Sequence, residues 1–136
     1  MQKTAKSVFL AIAIVLVALL PAACDLDSNI TKINAEELKR LIAEVPGLVI
    51  IDNRSGFEFS YSRIPKAVNI PQERFSSLAT LLPQAKDTPI VFYCRGYNCD
   101  PSAQAAVAAE KLGYTNIMLF SAGFPEWVRK GYEVEK

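Results

Sequence analysis

The chain contains no histidine. Histidine-ligated zinc sites and Cys–His or Ser–His catalytic pairs are therefore excluded. Only three cysteines occur, Cys24, Cys94 and Cys99. Two thiols alone make a poor zinc site, so no metal is expected, and nothing in the sequence asks for an organic cofactor. An excess of either charge is missing too: 15 basic residues face 14 acidic ones. That leaves no basic stripe for nucleic acid and no field for steering anions. Internal repeats and low-complexity tracts are absent. The 136 residues suffice for about one domain.

What is present centres on six residues, CRGYNC, from Cys94 to Cys99. Before them runs PIVFY (89–93), an apolar stretch rich in β-formers. After them comes PSAQAAVAAEKL (101–112), an Ala-rich helical stretch closed by Gly113. A thiol at the end of a buried strand, facing a helix N-terminus, meets converging N–H groups and the positive end of the helix dipole. That setting favours the thiolate. The other reading of Cys94 is a small apolar residue at a strand end, a common place for a buried cysteine. Position alone does not choose between them.

Long apolar runs are confined to the first segment. Lys3 and Lys6 precede residues 7–20, which are uncharged and almost wholly apolar. Fourteen helical residues span about 21 Å, short of a hydrocarbon core of about 30 Å. Pro21-Ala22-Ala23-Cys24 follows. Basic start, apolar middle and small residues before a cleavage point form the layout of a bacterial export signal; the alternatives are an uncleaved anchor or a buried helix. Ala22-Ala23-Cys24 also resembles a lipobox, although Pro21 stands where lipoproteins usually carry Leu. The resemblance implies removal of residues 1–23 and lipidation of Cys24. It implies a tether over 24–31 and a domain over 32–136. Asp25, directly after the lipid, implies retention on the periplasmic side of the inner membrane; a soluble periplasmic or secreted protein is the alternative. Loss of Lys3 and Lys6 leaves 13 basic residues against 14 acidic. In an exported protein the two remaining cysteines, Cys94 and Cys99, can exist as a disulfide.

Along the chain, strands alternate with helices. Asn34 with Glu37 forms a capping-box pattern, and Leu38, Leu41 and Ile42 continue it as an apolar stripe ending at Pro46-Gly47. LVII (48–51) is a strand of the kind buried on both faces. Residues 56–61 suit a short helix or turn, 67–70 a strand, 74–82 a helix with Phe75, Leu78, Leu81 and Leu82 on one side. Residues 116–120 make another strand and 123–130 a last short helix. This order predicts an α/β fold, a three-layer α/β/α arrangement with a mostly parallel central sheet. Ligands of such sheets bind at the carboxyl ends of strands, where Cys94 lies.

The stretch VIIDNRSGFEFSYSRIPKAVNIP resembles the first half of a rhodanese domain, through Asp52, Arg54, Glu58, Ile64, Pro65, Ala67 and Pro71. VFYCRGYNCDPSAQAAVAAEKLGYTNIMLFSAGFPEWVRKGYEVE resembles the second half, with Cys94 at the strand end and Gly123 and Trp127 beyond the last strand. The family's Gly-His is Ser62-Arg63 here, and the Gly after its Pro is Lys66. The loop before the helix is about two residues longer than in common sulfurtransferases, lacks a second arginine and carries Cys99. A seven-residue Cys-x5-Arg loop would suit phosphate or arsenate, but the residue six after Cys94 is Asp100. Its carboxylate would repel a dianion while capping the next helix, with Pro101 at the first helical position.

The resemblance implies sulfane-sulfur transfer, from thiosulfate or a similar donor, through a persulfide on Cys94. Partners would be a small sulfur-containing substrate and a thiol acceptor. Arg95, Gly96, Tyr97, Asn98 and Cys99 would form the substrate-binding loop, their N–H groups facing the terminal sulfur's charge. Gly96 would let the loop curve; Tyr97 and Asn98 read as loop surface. Arg95 reads equally as a thiolate-favouring charge or a solvated rim residue. Asp52 and Arg54 read as a pair bracing the sheet end, and Trp127 with Phe124 as core. Cys99 keeps two enzyme readings open: resolution of the persulfide, or a thiol–disulfide oxidoreductase cycling Cys94–Cys99. A membrane-tethered binding module with an inactive site is the third reading.

Overall fold

Short, continuous apolar runs form the centre of the sheet. In this computed structural model, which describes residues 28–136, β4 (Ile90–Tyr93) and β5 (Ile117–Phe120) are buried at every position. Beside β4 lies β2 (Val49–Asp52), and beside that β3 (Ala67–Asn69). A short strand β1 (Ile30–Lys32) pairs with β5 at the opposite edge. All pairings are parallel, in the order β1-β5-β4-β2-β3.

Alternation along the strands splits the core in two. Ile51, Ile90, Phe92, Ile117 and Leu119 pack with Ala105, Ala106 and Ala109 of α4 (Asp100–Lys111) and with Leu78 and Leu82, at the start and just past the end of α3 (Leu78–Leu81). Ile50, Val91, Tyr93, Met118 and Phe120 pack on the other face, against Ala35 and Leu38 of α1 (Ala35–Glu44) and Trp127 of α5 (Gly123–Arg129). The alanines let α4 sit close to the sheet. The fold is therefore the expected three-layer α/β arrangement, and its sheet is wholly parallel.

Helix ends follow the side chains that can bond them. Asn34 accepts from the Glu37 N–H at 2.9 Å, and the Glu37 carboxylate accepts from the Asn34 N–H at 2.8 Å. Ser55 and Glu58 make the same reciprocal pair at the start of α2 (Gly56–Tyr61). Three details differ from the sequence reading. Strand β1 takes up Ile30 and Thr31, residues assigned to the tether, because β5 offers them a ladder. The segment read as one helix over 74–82 is a 3-10 helix (Gln72–Ser77) followed by the single turn of α3. Helix α4 begins at Asp100 with Cys99 in the capping position and no side-chain cap. Asp100 is thus inside the first turn rather than capping it, where its charge still suits the helix N-terminus. Cys24 and the expected signal segment lie outside the described residues.

Candidate functional site

The carboxyl ends of β2 and β4 meet the N-terminus of α4, and the loop from Cys94 to Cys99 spans the gap. Cys94 follows β4 directly and is 1% exposed. It is bonded to Cys99 in a disulfide, with Cα atoms 6.0 Å apart, inside the ordinary range for such a bond. Cys99 remains partly exposed at the helix start. With the disulfide closed, Cys99 is the more exposed of the two cysteines.

The loop curves through a turn in which the Cys99 N–H donates to the Gly96 carbonyl at 3.0 Å. That N–H is therefore committed within the loop and does not face a ligand. Gly96 has φ +135, a conformation that favours glycine. Tyr97 is 81% exposed and Asn98 is exposed beside it, as loop surface. A cleft of about 530 Å³ lies along one side of the loop, lined by Cys99, Asp100, Pro101, Gln72 and Gln104 among others. A second hollow of about 330 Å³ lies on the other side, bounded by Ala122, Pro125 and Arg129. Tyr97 borders both.

Arg95 pairs with α2. Its Nε donates to Glu58 Oε1 at 2.7 Å and its terminal nitrogen to Glu58 Oε2, a fork-to-fork pair. This hydrogen bonding, with help from Ser55, lowers the Glu58 pKa to about 2 against some opposition from burial. The guanidinium thus ties the loop to α2. Glu58 appeared in the family pattern; the Ser55-x-x-Glu58 capping spacing, which the sequence reading missed, is the local signal that could have placed it. Nothing local announces its partner, 37 residues on.

Beneath the loop, Asp52 and Arg54 form a buried pair, with Arg54 Nη2 2.6 Å from Asp52 Oδ2 and 2.7 Å from the Ser62 carbonyl. Tyr93 Oη donates to Asp52 Oδ2 at 2.5 Å and accepts from the Ile64 N–H at 3.2 Å. Burial first, then the Asp52 carboxylate, push the Tyr93 pKa well up, so its proton stays in this network. The guanidinium of Arg54 also lies 3.9 Å from the Phe124 ring centre. Asp52 and Arg54 therefore pair beneath the loop, and Tyr93 and Phe124 join them.

Two further positions shape the loop base. Gly123, at φ +66, lies so near that a Cβ there would overlap the Cys94 carbonyl oxygen and come within 2.7 Å of the Gly96 nitrogen. The next residue's N–H, Phe124, donates to that same oxygen at 2.9 Å. Asn53 follows β2 as Cys94 follows β4, in adjacent register. Its amide donates to the Ile70 carbonyl at 2.7 Å, while its Oδ1 is buried with no hydrogen-bond partner among the described residues.

A thiol at a parallel sheet's carboxyl edge, closed over by a short loop and faced by a helix N-terminus, defines a class of thiol-bearing α/β domains. Residues 34–130 match the Rhodanese-like domain family, and the chain belongs to it. The thiosulfate:glutathione sulfurtransferase of Saccharomyces cerevisiae is 27% identical over 116 residues, covering 76% of this chain and 82% of the yeast protein. A sulfurtransferase of Allochromatium vinosum is 26% identical over 105 residues, covering 77% and 94%. Among solved structures, a human single-domain sulfurtransferase superposes with TM-score 0.64 at 26% identity, covering 73% of this chain and 96% of the human one. A Bacillus halodurans protein reaches TM-score 0.68 at 25% identity, covering 77% and 76%. Three of these relatives are sulfurtransferases by name, and the yeast protein's name specifies thiosulfate and glutathione.

Proposed function

We propose that the chain is a sulfurtransferase of the bacterial cell envelope that carries sulfane sulfur as a persulfide on Cys94. The observation that carries the proposal is the place of Cys94: at the end of β4, against the start of α4, in a family two of whose curated relatives are named sulfurtransferases. The reduced Cys94 thiolate attacks the outer sulfur of thiosulfate. A Cys94–S–S⁻ bond forms, the S–S bond of the donor breaks, and sulfite leaves with the electron pair. An acceptor thiolate then takes the outer sulfur. No base is needed, because the thiolate is itself the nucleophile.

A second reading has its own support. The Cys94–Cys99 disulfide fits a thiol–disulfide oxidoreductase, in which the pair alone accepts and returns electrons. Sulfite release separates the two. In the sulfurtransferase, reduced protein liberates sulfite from thiosulfate, Cys94→Ser does not, and Cys99→Ser still does. In the oxidoreductase, neither reduced protein nor either variant liberates sulfite, while wild type alone exchanges disulfides. Placement on the membrane through a lipid on Cys24 is part of the same proposal and rests on the lipobox-like Ala22-Ala23-Cys24.

A further inference from the structure

Cys94 has a second sulfur within bonding reach, and that sulfur is on its own loop. The disulfide shows that Cys99 Sγ can reach Cys94 Sγ with the sheet, α4 and the turn from Gly96 to Cys99 all in place. A persulfide formed on Cys94 would therefore be built beside a thiol able to strike its inner sulfur. Cys99 occupies the capping position of α4, whose first turn lacks a side-chain cap. Exposure divides the two roles: Cys94 is 1% exposed, whereas Cys99 lines the cleft of about 530 Å³.

Resting on the persulfide reading above, we propose that Cys99 discharges the sulfur of Cys94 as hydrogen sulfide, and that the chain then requires an external dithiol to turn over. The step balances as Cys94–S–S⁻ plus Cys99–SH giving the Cys94–Cys99 disulfide plus HS⁻. Cys99 Sγ bonds to Cys94 Sγ, the bond from Cys94 Sγ to the outer sulfur breaks, and the pair leaves with that sulfur. The Cys99 proton goes to the departing sulfide. Sulfane sulfur is reduced by two electrons, and two thiols are oxidised to one disulfide. A dithiol reductant then attacks Cys99 Sγ from the cleft, releases Cys94 as the leaving thiolate and departs as its own disulfide. Summed, thiosulfate and a dithiol become sulfite, hydrogen sulfide and a cyclic disulfide. The form seen here is the discharged one. With Cys94 buried and bonded it takes up no sulfur, so the reductant also controls loading.

The test is a single turnover without oxygen. Full-length protein is reduced, freed of reductant, and given one equivalent of thiosulfate; sulfite, sulfide, free thiols and intact mass are then read. The expected wild-type result is one sulfite and one sulfide per chain, both loop thiols lost, and a mass two hydrogens below the reduced protein. Cys99→Ser and Cys99→Ala should each release sulfite, release no sulfide and retain one extra sulfur atom. Wild type that retains the sulfur and releases no sulfide, as the variants do, overturns the discharge step while leaving the persulfide reading intact. Absence of sulfite from all three proteins overturns the persulfide reading and this step with it. Equal sulfide from wild type and both Cys99 variants also refutes the step, since the discharge then bypasses Cys99.

Discussion

Gly123 is the position where one methyl group should separate a sound fold from a damaged site. Three costs apply to Gly123→Ala. The backbone has φ +66, a region that costs a residue with a Cβ roughly 1–2 kcal/mol. The new Cβ would also overlap the Cys94 carbonyl oxygen and crowd the Gly96 nitrogen. Both atoms are backbone, so the loop base must shift; overpacking of this kind costs about 1–3 kcal/mol. The shift also weakens the Phe124 N–H bond to Cys94, a further loss of about 1 kcal/mol. Gly131 supplies the control. It has φ +71 with nothing within 4 Å of a built Cβ, so Gly131→Ala carries the conformational cost alone. The difference, about 2–4 kcal/mol, corresponds to a Tm lower by roughly 10–25 °C for a domain of this size. Thermal denaturation of both variants, reduced and oxidised, reads it. If Gly123→Ala melts no lower than Gly131→Ala, Gly123 does not seat the loop in the way described.

Asp52→Ala should destabilise the domain by about 3–5 kcal/mol in urea denaturation, because Arg54 is left buried without its carboxylate. Tyr93→Phe should cost about 1–2 kcal/mol in the same assay, since the Ile64 N–H and Asp52 both lose a buried partner. The Glu58 pKa is lowered from 4.5 to about 2, so its contribution is full above the unfolded value and is lost as pH falls through that interval. The pair is well exposed, which limits this to about 1 kcal/mol, and Glu58→Gln should flatten that part of the stability-against-pH curve. Cys24→Ser should release the protein from membranes or block its processing on fractionation; wild type found wholly in the cytoplasm with Met1 intact would refute the envelope placement.

The central strands were legible because their apolar runs are continuous, as strands covered on both faces must be. The start of α1 was legible because capping is a local bond between residues three apart, whereas the same pair at α2, Ser55 with Glu58, was not read and left 56–61 open as helix or turn. Strand β1 was not: Ile30-Thr31-Lys32 is short and polar, and only pairing with β5, some 87 residues on, makes it a strand. Asp100 and Pro101 were displaced by one position because the capping role fell to Cys99, held by its bond to Cys94. At the site, Cys94 was visible from the strand–loop–helix order. The Arg95–Glu58 tie and the Tyr93–Asp52 contact were not, since they join residues 37 and 41 apart whose meeting depends on the sheet. Gly123 was visible as a pattern residue, but its close approach to Cys94 required the folded chain.

The most direct measurement of the central claim locates the sulfur. Reduced Cys99→Ser protein is treated with thiosulfate without oxygen, digested and mapped by mass spectrometry, with reduced Cys94→Ser protein alongside. The persulfide account predicts one added sulfur atom on the peptide carrying Cys94, removed by a thiol acceptor, and none on any peptide of Cys94→Ser. No sulfur on Cys94, or equal sulfur elsewhere in Cys94→Ser, would contradict it.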